Sequence, residues 1–159
     1  MRTLLDSVYY KLRREEIEKA STRFRRIKTD TILKNLSKLC WKYNIQYEII
    51  IKTRDILVIR LTSVRETVVL KYHNCSMVSS KEIDAFMNEL DEVEANRGIY
   101  ITTGYFETRE RQSFKNLFFK KDILLEDGLT FIKGQLGLTK KTIDSFKISK
   151  LDFFKYLPN

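Results

Sequence analysis

Glycine and proline are scarce in this chain, with 5 Gly and a single Pro in 159 residues. That scarcity argues against flexible linkers and disordered tracts, which such residues dominate. Cysteine is nearly absent: Cys40 and Cys75 stand far apart and form no CxxC pair. Zinc-finger spacing and a disulfide framework are therefore excluded, and the two thiols read as buried or half-buried groups in a reducing compartment. No apolar run approaches the ~20 residues of a bilayer span. The N-terminus mixes Lys11, Arg13 and Arg14 with Glu15 and Glu16 and lacks an apolar signal core, so the chain is expected to be intracellular, without a membrane. The sole histidine, His73, has no Ser or Cys partner at a recognisable motif, and no phosphate-cradling glycine loop occurs.

Apolar content and positive charge are plentiful. Hydrophobic residues make up 43% of the chain, 10 of them Phe, enough for a real core in one domain. The net charge of +9 is spread unevenly. Residues 1–54 carry 14 Lys and Arg against 6 Asp and Glu, whereas residues 81–110 carry 3 against 8. A basic surface attracts phosphate backbones by releasing their counterions, so nucleic acid is the expected partner. The basic candidates are Arg23, Arg25, Arg26 and Lys28, followed by Lys34, Lys38 and Lys42 at i, i+4, i+8. Such a row forms one stripe on a helix, although many such stripes are only solvated faces. Trp41 and Tyr43 are expected in the core rather than as base-stacking platforms.

The periodicity predicts helices over 3–20 and 31–43, the second capped by Thr29 or Asp30. Strands follow over 46–52, 55–61 and 66–72, the last two close enough for an antiparallel hairpin. Ser79 and Glu82 make a capping box for a helix over 80–95, with Ile83, Phe86, Met87, Leu90 and Val93 inward and the acids mostly outward. That acidic helix is a candidate surface for a protein partner. A strand over 99–103, opened by Gly98, comes next. A helix near 107–118, a strand over 123–125, a helical turn over 129–136 and a further helix in the tail complete the reading. Alternating strands and helices predict an α/β fold, a central mixed sheet of four or five strands with helices on both faces. The domain reading is a basic extension (1–28), a core domain (29–136) and a packed C-terminal tail (137–159).

Two segments carry a family resemblance: Gly98-Ile-Tyr-Ile-Thr-Thr-Gly-Tyr-Phe and Ile123-Leu-Leu-Glu-Asp-Gly-Leu. Together with the acid Asp55 opening one strand and Lys71 near the end of the next, they resemble the Mrr-type restriction endonuclease domain. That domain is a branch of the PD-(D/E)xK nuclease superfamily, and the similarity spans residues 33–136. The resemblance implies a restriction-endonuclease-like fold, DNA as partner, pairing into a homodimer, and Mg²⁺-dependent hydrolysis of a phosphodiester. It makes Asp55 the first metal ligand and Lys71 the catalytic lysine. Strand residues i and i+2 share a face, so the family's second acid belongs two residues before the lysine. Val69 stands there instead and offers no oxygen to a hard cation. The family's usual glutamate in the helix before Asp55 is replaced by Lys34, Asn35 and Lys38, leaving a degenerate site. Glu82, with Asp84 behind it, is the candidate replacement metal ligand from the following helix. The alternative reading is a catalytically inactive DNA-binding or assembly subunit that keeps the nuclease fold as scaffold.

Overall fold

The computed structural model describes Val8 and residues 14–107, 122–136 and 151–159. Five strands form a mixed sheet: β1 (Gln46–Lys52), β2 (Ile56–Thr62), β3 (Thr67–His73), β5 (Arg97–Thr102) and β7 (Asp122–Glu126), hydrogen-bonded in the order β1-β2-β3-β5-β7. The first three are an antiparallel meander, and β5 and β7 join parallel. The short strands β4 (Met77–Val78) and β6 (Tyr105–Phe106) pair separately. Helices α1 (Arg14–Arg25), α2 (Thr29–Lys42), α3 (Ser80–Glu92) and α4 (Gly128–Leu136) flank the sheet, and a 3₁₀ turn covers Phe154–Tyr156. The mixed sheet with helices on both faces is the architecture expected from the sequence.

Strand alternation divides the core in two. On one face Leu57, Ile59, Val68, Leu70 and Ile101 pack with Ile17 and Phe24 of α1, Ile32 and Leu36 of α2, and Phe131 of α4. Phe153 and Tyr156 from the tail join this cluster. The Phe24 ring stacks on Phe131 at 4.7 Å and tilts against Tyr72 at 5.9 Å. On the other face Val58, Val69 and Tyr100 meet Ile83, Phe86 and Leu90 of α3.

Several local expectations are corrected. The basic run at 22–28 is not all connection, since α1 continues to Arg25. Neither Thr29 nor Asp30 caps α2: Lys28 holds that position without a side-chain hydrogen bond. Both candidates instead tie α2 to the end of β1. The Thr29 hydroxyl donates to the Thr53 carbonyl at 2.5 Å, and Asp30 pairs with Lys52 at 2.5 Å. Gly98 is the second residue of β5 rather than its opening one, and a Cβ there would come within 2.7 Å of Leu90 on α3. The Ser79–Glu82 capping box forms as expected. The expected helix near 107–118 and most of the tail lie outside the described residues.

The two segments that carry the family resemblance interlock. The Gly128 N–H donates to the Gly104 carbonyl at 2.9 Å. A Cβ on Gly128 would sit 2.3 Å from the Thr103 carbonyl oxygen, and one on Gly104 would sit 2.1 Å from that of Ser76. Only glycine permits such close backbone approach. The Asp127 carboxylate then accepts the Thr130 N–H at 2.8 Å, starting α4.

Candidate functional site

Alternation along β3 puts Val69, Lys71 and His73 on the face covered by α3. Parallel pairing sets them beside Gly98, Tyr100 and Thr102 of β5. Lys71 is no exposed strand-end lysine: it is only 6% exposed, its ammonium 5.0 Å from the centre of the Tyr100 ring. Tyr100 is held edge-on by Phe86 and Phe106, and its hydroxyl lies 2.9 Å from His73 Nδ1. His73 is therefore a buried histidine. Burial holds its pKa below the usual imidazole range; Glu82 pushes it up, Lys71 down and Asp55 up. Burial also raises the Tyr100 phenol, with Glu82 adding to it.

Of the sequence-predicted site residues, Lys71 lies on this face beside Tyr100, two residues from His73, which sequence reasoning sets aside. Asp55, Lys71 and Glu82 all act electrostatically on His73. The signal is the i, i+2 spacing of Lys71 and His73. No hydrogen bond or ion pair joins Asp55, Lys71 and Glu82 to one another among the described residues. Asp55 is exposed, and its backbone carbonyl accepts the Asn74 N–H at 2.8 Å. Asp55 therefore sits opposite Asn74, three residues and roughly 10 Å along the strand from Lys71. Glu82 accepts the Ser79 N–H on Oε2 at 2.8 Å, which leaves Oε1 free of the capping box. Asp84 is exposed, away from this interior.

A second acid also faces inward. Glu89, seven residues after Glu82 and so on the same side of α3, is half-buried. Burial raises its pKa while Lys71 lowers it, and its Oε2 has no hydrogen-bond partner among the described residues. The expectation that the acids of this helix mostly face outward holds for Asp84, Asp91, Glu92 and Glu94 but not for Glu82 and Glu89.

The threonines close the strand end. The Thr103 hydroxyl donates to Asn74 Oδ1 at 2.8 Å, and Thr102 Oγ1 accepts the Gly104 N–H at 3.2 Å and lies 3.5 Å from Cys75 Sγ. Val69 is completely buried in the α3 core. Mg²⁺ typically takes one or two carboxylates, with phosphate and water completing its shell. No group of three or more His, Cys, Asp or Glu that could hold a metal forms among the described residues. Asp55, at the strand end opposite Asn74, and Glu82, in the first turn of α3, are the two expected carboxylates, and no contact joins them among the described residues.

The basic candidates lie elsewhere. Arg23, Arg25, Arg26, Lys28, Lys34, Lys38 and Lys42 are all exposed, and none forms an ion pair among the described residues. Tyr43 is half-exposed, packed on Phe154 at 5.2 Å with the Lys42 ammonium 5.3 Å from its ring centre. Trp41 is not in the core at all: it is 90% exposed.

No family model and no curated protein matches the sequence. Solved structures to which the chain shows similarity include a protein of unknown function, AF1548 (12% identity, TM-score 0.41, covering 72% of this chain and 62% of that one). The DNA modification-dependent restriction endonuclease AspBHI is 14% identical with a TM-score of 0.46, over 84% of this chain and 37% of that one. The MspJI restriction endonuclease, in complex with a 27-mer oligonucleotide, is 13% identical with a TM-score of 0.41, over 96% and 36%. The chain spans less than two thirds of the length of each.

Proposed function

We propose that this chain is a nucleic-acid-binding protein of restriction-endonuclease-like fold, with DNA as its ligand and the α1–α2 side as its contact surface. The observation that carries this reading is the exposure of all seven basic side chains from Arg23 to Lys42, unpaired among the described residues. Unpaired cations on a surface cost little to bring to phosphate, since no internal ion pair must be broken first. The Mrr-like segments 98–106 and 123–129 support the fold assignment, and their glycines serve packing rather than chemistry.

A second reading, Mg²⁺-dependent cleavage, is favoured by the burial of Lys71, the lysine the resemblance makes catalytic, beside Tyr100 on the face under α3. In that reading Asp55 and Glu82 would hold the metal, which would supply polarisation of the scissile phosphate. Lys71 supplies positive charge from the strand floor, and the Tyr100 ring fixes where that charge sits. Val69 in place of the usual acid makes binding without cutting the first expectation.

The test is retention and cleavage of labelled duplex and single-stranded DNA in Mg²⁺, Mn²⁺ and EDTA, beside Asp55→Ala and Lys71→Met. Retention in all three conditions without cutting is the expected result. Metal-dependent cutting abolished by both substitutions would establish the second reading. Absence of retention would sink the nucleic-acid reading and direct attention to the exposed acids of α3 as a protein-contact surface.

A further inference from the structure

Helix α2 buries Ile32, Leu36 and Cys40, which recur every fourth residue and mark its inward side. At 100° per residue, Trp41 stands about 180° from Ile32 around the helix, with Lys34, Lys38 and Lys42 following within about another 100°. The aromatic ring and the lysines therefore share the solvent side. No acid occurs from residue 31 to residue 47, and Asp30, just before that stretch, is held by Lys52. The result is an uninterrupted cationic strip with one large flat ring at its edge.

An indole 90% exposed on such a strip has no packing role among the described residues. Lipid is a poor occupant, because the apolar side of α2 is already committed to the core and one ring buries little in a bilayer. Unstacked bases are the fitting occupant. Lysines track a phosphate backbone while an aromatic face stacks on a base, a combination that favours single strands over a closed duplex. We infer that α2 is a single-strand binding strip, with Trp41 stacking on an unpaired base and Lys34, Lys38 and Lys42 following the backbone. The inference rests on the nucleic-acid reading above and adds strandedness to it.

Trp41 is the single tryptophan of the chain, so its emission reports this contact alone. The experiment titrates the full chain, in EDTA, with a 20-nucleotide single strand and with the blunt duplex of the same sequence. Trp41 emission and the anisotropy of labelled DNA are followed together. The expected result is quenching by the single strand and about tenfold or greater loss of single-strand affinity in Trp41→Ala. Trp41→Phe, which keeps an aromatic face, should recover most of that affinity, and duplex affinity should stay within about twofold. Binding by anisotropy with unchanged emission and unchanged affinity in Trp41→Ala would overturn the strip and leave the nucleic-acid reading standing. Equal loss for single strand and duplex would overturn the strand preference. Failure to bind either would overturn both.

Discussion

Lys71, Tyr100 and His73 are polar groups in an apolar layer, and their mutual contacts decide what they tolerate. Tyr100 presents its ring to Lys71 and its hydroxyl to His73 Nδ1. Tyr100→Phe should leave that ring nitrogen buried and unpaired, a loss of about 1–3 kcal/mol in urea unfolding. His73 also gives the fold a pH response. Its folded pKa lies below the unfolded value of 6.5, so the unfolded chain binds more protons between the two values. The stability tied to neutral His73 is fully present above 6.5 and is lost as pH falls through the folded pKa. Urea midpoints measured from pH 7.5 downward should fall more steeply for the native chain than for His73→Gln. Glu89, with its pKa raised by burial, acts oppositely: its neutral form favours the fold at low pH, and that contribution is lost as pH rises through its folded pKa. Parallel profiles for native and variant chains would contradict the His73 assignment.

At the scale of elements, the glycines of the two interlocking segments should respond unequally to substitution. Gly104→Ala and Gly128→Ala drive a methyl into backbone carbonyls, whereas Gly98→Ala meets the ends of Leu90 and Phe86. Backbone cannot rotate away as a side chain can, so the first two should each cost about 1–3 kcal/mol or more and Gly98→Ala less. Thermal unfolding of the three variants checks the order. The elements themselves are largely legible in the sequence. Branched apolar runs mark the strands, the short 62–65 connection marks the hairpin, and Ser79 with Glu82 marks the start of α3. What is not legible depends on distant partners. Thr29 has a good capping side chain, but the Thr53 carbonyl claims it from 24 residues away. A lysine near a strand end is usually exposed, and only α3 folding over the sheet buries Lys71. Residue type misplaces Trp41, although its angle from Ile32, Leu36 and Cys40 already puts it outside. The motif resemblance singles out Asp55 and Lys71, but the burial of His73 against Tyr100 emerges only when β3, β5 and α3 assemble.

Across the whole molecule, the basic candidates and the buried polar cluster occupy different places. The seven candidates from Arg23 to Lys42 lie on α1, α2 and the turn between them, while Lys71, Tyr100 and His73 lie on the opposite face of the sheet, under α3. Binding and any cleavage are therefore separable by substitution, and Lys71→Met should leave DNA retention within about twofold. No helix among the described residues is long and apolar enough to cross a membrane. If the exposed basic side chains bind a phosphate backbone, DNA affinity must depend on salt. Log affinity of the native chain should fall linearly with log salt. Replacing Lys34, Lys38 and Lys42 together by Gln should reduce that slope by about two to three, since each phosphate that is no longer neutralised removes about 0.7–0.9. A flat salt dependence, or a slope unchanged in the triple variant, would contradict it.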